Sequence, residues 1–538
     1  MNDPNLTPLV ALPVVVPMLL GILSVLLRGS LGVQRALSVG GMAVLVVMNA
    51  FLLVKLGSLE SGAPPLLYSV AGSWPAPFGI AIMFDWLSGL LVTITSVIGL
   101  AASFHTMDVM PERNERSWFH PLLFLLIMGV SFSFLTGDLF NLFVGFEIML
   151  MASYAMMCLD GSKRVLAQAY KYVIINLIGS SVFVLAAGMI YGVTGTLNFA
   201  DLARWVSEMN TTEGGVPTAF IAVSTMLLFV FTLKAAVFPL WFWLPDSYPT
   251  MPTTVSALFA ALLSKVGVYA VIRLYPTVFG PMGTPSAEAL SPILAGMAAV
   301  TMILAIVMAI GAHSVRRVLL LVLMSHVGYL IAGVVIGSID SIGSVSYYMM
   351  QEMLVMACLL MATGMLERHA GTDDLREFGG AVQRAPALGV VFFIASLAVA
   401  GIPPLAGFYG KAGLMREAFS TGNTLLGLCI VVTAALTFIA MGRVWCAAFW
   451  GELRGAWLVA PEGGTLGTAP RLGYAFAGVW ILLAFAIGAG LLPGPAARAT
   501  NAAAELIVEP APMIDTILGT RAITETAEAV AGDSESAS

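Results

Sequence analysis

The chain has 538 residues, of which 59% are hydrophobic, only 10% are charged and 54 are glycine, a composition that excludes a water-soluble globular core and marks an integral membrane protein. Its net charge of −6 is small for this length, and no basic stripe runs along it, which excludes nucleic acid as a partner. The four cysteines, Cys158, Cys358, Cys429 and Cys446, show no paired spacing of a metal or redox site and read as packing residues.

Apolar runs of about 20 residues, the length that crosses about 30 Å of hydrocarbon, fall near 6–27, 35–56, 80–104 and 117–137. Ten more follow near 139–158, 166–193, 217–240, 250–275, 289–311, 316–337, 343–365, 386–420, 422–450 and 472–492, fourteen in all. The first has no basic leader and no small-residue cleavage site, so it reads as a retained helix. Between the sixth and seventh runs, NFADLARWVSEM places Phe199, Leu202, Trp205 and Met209 on one face, predicting a short amphipathic helix that rests on lipid or docks a neighbour. The tail from 493 to 538 holds seven acidic residues against Arg498 and Arg521, and its GDSESAS end is expected to be disordered.

Loop lysines and arginines fix the orientation, because they are retained on the cytoplasmic side. Loops after odd-numbered runs carry thirteen, whereas loops after even-numbered runs carry four, Lys55, Arg204, Arg273 and Arg416. Both termini are therefore predicted to lie outside the cytoplasm.

Two runs are interrupted. In TLKAAVFPLWFWLPDSYPTMPT, Pro239 follows Lys234 by five residues and frees a backbone carbonyl in mid-membrane. In ASLAVAGIPPLAGFYGKAGL, Pro403, Pro404 and Gly407 precede Lys411. Non-helical backbone at membrane depth is tolerated only inside protein or beside water, so both breaks, in the seventh and twelfth helices, point to a hydrated interior.

Charged groups inside apolar runs are costly, by about 3 kcal/mol on insertion scales, and usually line an ion or proton path. Glu147, Lys234, Lys265, His326 and Lys411 occupy such positions. Lys171 and Arg443 lie nearer helix ends, where snorkelling competes with a role inside. Asp85 begins the third run either as a cap or as part of the path, and Asp138 ends a short loop. His105, His120, His313 and His369 fall at span ends or in loops, where a solvated histidine is the default.

Spacing suggests a duplication. Glu147 to His326 is 179 residues and Lys234 to Lys411 is 177, while Lys265 plus 178 lands on Arg443. A repeat of that length holds five spans, an odd number, so the second copy is inverted relative to the first. The predicted organisation is three N-terminal helices (1–110), two inverted five-helix repeats (111–280 and 281–455) and a last helix with the acidic tail (456–538). A loosened Glu147–Lys234 ion pair would release the lysine proton toward Lys265, since attraction at about 4 Å and an effective dielectric of 20 is about 4 kcal/mol.

GDLFNLFVGFEIMLMASY, TLKAAVFPLWFWLPDSYPTMPTTVSALFAALLSKVGVYAVIR, LLLVLMSHVGYLIAG and GIPPLAGFYGKAGL resemble the proton-translocating antiporter family. That family comprises the antiporter-like membrane subunits of complex I-type NADH:quinone oxidoreductases and large subunits of Mrp-type multisubunit cation/proton antiporters, and GDLFNLFVGFE with the total length is closer to the Mrp branch. The resemblance implies an all-α fold of fourteen transmembrane helices and a midplane chain in which Glu147 partners Lys234, Lys265 is central, His326 connects and Lys411 ends the second half. It implies partner subunits of a hetero-oligomeric membrane complex, surrounding lipids, protons and sodium, or alternatively a redox-driven proton pump. Many relatives carry histidine and lysine on the eleventh helix, where YYMMQEMLVMACLL offers Gln351, Glu352 and Met356, so Glu352 or water is left to join His326 to Lys411. No nucleophile, phosphate-cradling loop, metal cluster or cofactor motif is present in the sequence, and an ATP-driven step is excluded.

Overall fold

Backbone groups inside a bilayer are satisfied only within helices or closed barrels, and apolar runs of about 20 residues select helices; the computed structural model, which describes residues 7–59, 64–212, 215–377, 379–454 and 473–519, is accordingly almost all helix. The elements are α1 (Leu12–Leu26), α2 (Leu31–Gly57), a hairpin of β1 (Leu66–Val70) and β2 (Ala81–Asp85), α3 (Trp86–Val109), and α4 (Glu112–Asn114) running through a π turn into α5 (His120–Leu135). Then come α6 (Leu139–Met157), α7 (Lys163–Thr194), α8 (Phe199–Thr211), α9 (Thr218–Ala235), α10 (Trp243–Ser247) and α11 (Thr253–Leu274). The second half has α12 (Pro285–Gly311), α13 (Val315–Ile336), α14 (Ile339–Ala370), α15 (Pro386–Ala400), α16 (Ala406–Ser420) and α17 (Thr424–Ala448). It is followed by α18 (Gly473–Leu491), α19 (Pro493–Val508) and α20 (Ala511–Leu518). Thirteen helices among the described residues are long and apolar enough to cross a membrane. The broken pair α15 and α16 makes the fourteenth crossing.

The duplication is written in the ends of the helices. α7 and α14 are each 32 residues long and stop at left-handed glycines, Gly195 (φ 75°) and Gly371 (φ 74°), where a side chain would be strained. The capping serines of these two helices, Ser162 and Ser338, accept the amides of Val165 and Ser341, as helix N-termini require. Matching isolated bridges, Asp138 to Asn198 and Ser314 to Asp374, tie the loops of the two copies. Each copy has five crossings, α5, α6, α7, the broken α9–α10 and α11 in the first, and α12, α13, α14, the broken α15–α16 and α17 in the second.

Several features depart from the reading of the sequence. Residues 81–85 form strand β2 and not the first turn of the third helix, because AIMFD pairs antiparallel with LLYSV. Arg273 is not a loop marker but a buried residue in the last turn of α11. His105 and His120 are fully buried, His105 between Thr254 Oγ1 (2.8 Å) and the Met361 carbonyl (2.9 Å) and His120 between Ser38 Oγ (2.7 Å) and Glu115 Oε1 (3.1 Å). The predicted amphipathic helix is α8, and its buried face packs on α20 and the turn after α11. The acidic tail begins as a docked helix, α19 lying along α14, while GDSESAS lies outside the described residues. Of the cysteines only Cys358 is fully buried, and Cys158 and Cys446 are exposed.

The seam between the copies is α11 against α13 and α14. In the most apolar stretches of α11 and α14 every residue is buried, and of α13 94%, against 33–39% in peripheral helices such as α1, α2 and α12. A helix surrounded by protein can hold charge that lipid would not tolerate, and these three carry Lys265, His326 and Glu352.

Candidate functional site

At the seam, Lys265 Nζ lies 2.8 Å from Glu352 Oε2. The ammonium also leans on the Ala260 carbonyl and Ser264 Oγ, each at 3.5 Å. The other carboxylate oxygen, Oε1, is 3.8 Å from His326 Nδ1. One carboxylate thus faces a lysine from the first copy and a histidine from the second. All three side chains are almost fully buried, and no apolar alternative would satisfy any of them.

Beyond His326 lie two aromatic side chains. Its ring sits edge-on to Tyr348 (5.6 Å) and Tyr329 (5.8 Å), which are 5.7 Å from one another. Lys411 Nζ lies over the same two rings, 5.2 Å from Tyr329 and 5.8 Å from Tyr348, a contact that offsets part of the cost of a buried cation. Lys411 donates to the Val399 carbonyl at 2.7 Å and the Ala400 carbonyl at 3.3 Å. Those are the last carbonyls of α15, left without intrahelical partners by the break at Gly401, Pro403 and Pro404. Gly407 permits the crossing of the two half-helices, since a Cβ there would meet the Ala398 carbonyl oxygen at 2.0 Å.

The two lysines beside the breaks are not in the same register. Lys234 precedes Pro239 by five residues, whereas Lys411 follows Pro404 by seven. The Lys411 ammonium nonetheless ends at Val399, five residues before Pro404, so side-chain length delivers the charge to the corresponding end of the broken helix.

In the first copy, Lys234 closes α9 and is 4% exposed. Its Nζ has no hydrogen-bond partner among the described residues and lies 5.0 Å from the Phe146 ring centroid. Glu147, the neighbour of Phe146, is instead hydrogen-bonded by Ser180 Oγ of α7. The expected close Glu147–Lys234 pair is therefore open, with the aromatic ring taking the cation and a serine taking the carboxylate. Gly267 brings α11 against the end of α9: a Cβ would lie 2.6 Å from Ala235 N and 2.9 Å from the Lys234 carbonyl carbon.

Three candidates stand apart. Lys171 is on the exposed face of α7. Arg443, five residues from the end of α17, donates to the Ile310 and Ala312 carbonyls at 2.6 and 2.7 Å, tying down the end of α12; repeat spacing made it the counterpart of Lys265, but it sits at a helix end. Asp85 caps α3 and pairs with Arg273. Tyr329, Tyr348, Ser180 and Gly267 escaped the sequence reading, and Arg273 entered it only as a loop cation, although Tyr348 lies one turn before Glu352 and Tyr329 nearly one turn after His326, a spacing that places them on the same helix faces.

A polar cavity of about 770 Å³ opens at the other end of these helices, lined by Arg164, Asp246, Thr254, Arg316, Glu367 and Arg368 among others. Arg316 joins three elements there, forming an ion pair with Glu367 and donating to the Pro249 and Met251 carbonyls at 3.1 and 2.7 Å.

Residues 136–437 match the family model described as NADH:quinone oxidoreductase/Mrp antiporter, TM. A Na(+)/H(+) antiporter subunit of Bacillus subtilis (strain 168) is 36% identical over 443 residues, covering 82% of this chain and 87% of that protein. A chain in the structure of the Mrp complex from Dietzia sp. DQ12-45-1b superposes with a TM-score of 0.84 at 26% identity, covering 95% of this chain and 100% of that one. A chain of respiratory complex I from Thermus thermophilus superposes at 0.77 with 23% identity, covering 93% of this chain and 99% of that one, a likeness of fold alone.

Proposed function

Because the chain belongs to the NADH:quinone oxidoreductase/Mrp antiporter family, we propose that it is the proton-translocating subunit of a multisubunit sodium/proton antiporter in a bacterial cell membrane. Both termini lie outside the cytoplasm and the arginine-lined cavity opens inside, on the arginine and lysine asymmetry of the loops. The observation that carries the reading is the carboxylate of Glu352 between Lys265 and His326.

Two groups compete for that carboxylate. At an effective dielectric of 20 the attraction to Lys265 at 2.8 Å is about 6 kcal/mol, and to a protonated His326 at 3.8 Å about 4.4 kcal/mol. The difference, about 1.5 kcal/mol, is smaller than the roughly 2.3 kcal/mol that one charge gains across 100 mV. A proton arriving on His326 therefore competes with Lys265 for Glu352, and to the extent that the carboxylate moves toward the imidazolium the lysine proton is held less firmly. His326 is suited to the step because imidazole takes and gives protons near neutrality. Its two ring nitrogens, Lys234 Nζ and Tyr348 Oη have no hydrogen-bond partner among the described residues, and buried polar groups of this kind recruit water, which completes the connections to Lys234 and Lys411. Lys234 loads Lys265 when the Glu147 pair is open, as it is here, and is recharged when it closes.

The test is sodium-dependent proton exchange by the whole complex in everted vesicles. Glu147→Gln and Lys234→Ala are each expected to abolish exchange while the complex still assembles, and retention of exchange by both removes them from the path. Co-purifying sodium-antiporter subunits support the assignment; flavin and iron–sulfur subunits instead would place the chain in a redox-driven pump.

A further inference from the structure

A helix enclosed on all sides by protein carries two basic residues. Lys265 and Arg273 lie eight residues apart on α11, with Tyr269 midway, at four-residue spacings that put all three along one side. We propose that Asp85 and Arg273 form a charge-compensating clamp that positions α11 and leaves Glu352 in sole command of Lys265. This rests on the reading of Lys265 as a proton carrier.

The clamp joins four elements. Asp85 ends β2 and caps α3, its Oδ1 accepting from Ser88 N (2.8 Å) and Ser88 Oγ (2.9 Å), and its amide donating back to Ser88 Oγ (2.9 Å). Its Oδ2 meets Arg273 Nη1 at 2.5 Å, with 1% and 2% of the two side chains exposed. Arg273 Nε donates to Tyr269 Oη at 3.3 Å, and Tyr269 Oη to the Phe134 carbonyl of α5 at 2.6 Å. The hairpin, α3 and α5 are thereby fastened to the helix that presents Lys265. Guanidinium does not release its proton in proteins, and both carboxylate oxygens are engaged, so the pair holds a fixed charge balance and is not a relay. The other ionisable groups inside the membrane on elements packed against α11 are Lys234 (α9), Glu147 (α6), Glu352 (α14), His326 (α13), His105 (α3) and His120 (α5), besides the phenols, which carry no charge near neutrality. Without Asp85, Arg273 becomes an uncompensated cation about 12 Å along the helix from Lys265.

In the purified complex, Asp85→Asn is expected to move the alkaline limb of the exchange-versus-pH profile to lower pH by up to about one unit, a tenfold change in proton concentration, at an effective dielectric of 20. The double variant Asp85→Asn with Arg273→Gln removes both charges and is expected to return the limb to its wild-type position. Failure of Asp85→Asn to assemble, with assembly and a native profile in the double variant, supports the clamp equally, because a lone buried charge is then the defect. A double variant that is unshifted from the single one, or that also fails to assemble, overturns it, as does an unshifted Asp85→Asn. Exchange that survives Lys265→Ala refutes the proton-carrier reading and leaves this charge balance as architecture only.

Discussion

Glu352→Gln isolates the central contact, because glutamine keeps the shape and removes the charge. Lys265 would lose an attraction of about 6 kcal/mol at 2.8 Å with an effective dielectric of 20, leaving the Ala260 carbonyl and Ser264 Oγ at 3.5 Å as its polar contacts. With its counter-charge gone the buried ammonium is held far less firmly, and exchange is expected to vanish into the vesicle background. Glu352→Asp withdraws the carboxylate by about one bond, to roughly 4 Å, where about 4 kcal/mol remains. Activity about 30-fold below wild type is expected from that variant. The assay is sodium-dependent quenching recovery of a pH-sensitive dye in everted vesicles, normalised to the amount of assembled complex. If Glu352→Gln exchanged within tenfold of wild type, or if Glu352→Asp were no better than Glu352→Gln, competition for one carboxylate would not be the switch.

Gly267→Ala adds a methyl 2.6 Å from Ala235 N and costs about 1–3 kcal/mol of overpacking. Separating α11 from α9 displaces Lys234 relative to Lys265, and a fall in exchange of about 10–100-fold is expected; Gly188→Ala in α7, where nothing lies within 4 Å, is the control and should remain within about twofold. Lys171→Ala should leave exchange per assembled complex unchanged, since that side chain lies away from the seam. Arg443→Gln loses charge-assisted bonds to two carbonyls, worth about 1.5–3 kcal/mol apiece, so immunoblotting should show less assembled complex at undiminished exchange per complex; a selective loss of exchange would return either residue to the path.

Hydropathy, two proline breaks and the spacing of charges were enough to read from sequence alone about fourteen crossings, their inverted duplication and the burial of Lys234, Lys265, His326 and Lys411 within apolar helices. These are one-dimensional properties, set by the length of helix that crosses hydrocarbon and by the cost of placing charge there. Which charges meet was decided by the packing of α11, α13 and α14. A period of 3.6 residues tells which side of its own helix Glu352 occupies, but not that Lys265 is 2.8 Å away on another helix 87 residues earlier. Arg273 was miscounted as a loop cation and the open state of the Glu147–Lys234 pair was not legible for the same reason: ion pairing depends on separation in space, and Asp85, Phe146 and Ser180 reach those groups only once the helices are assembled.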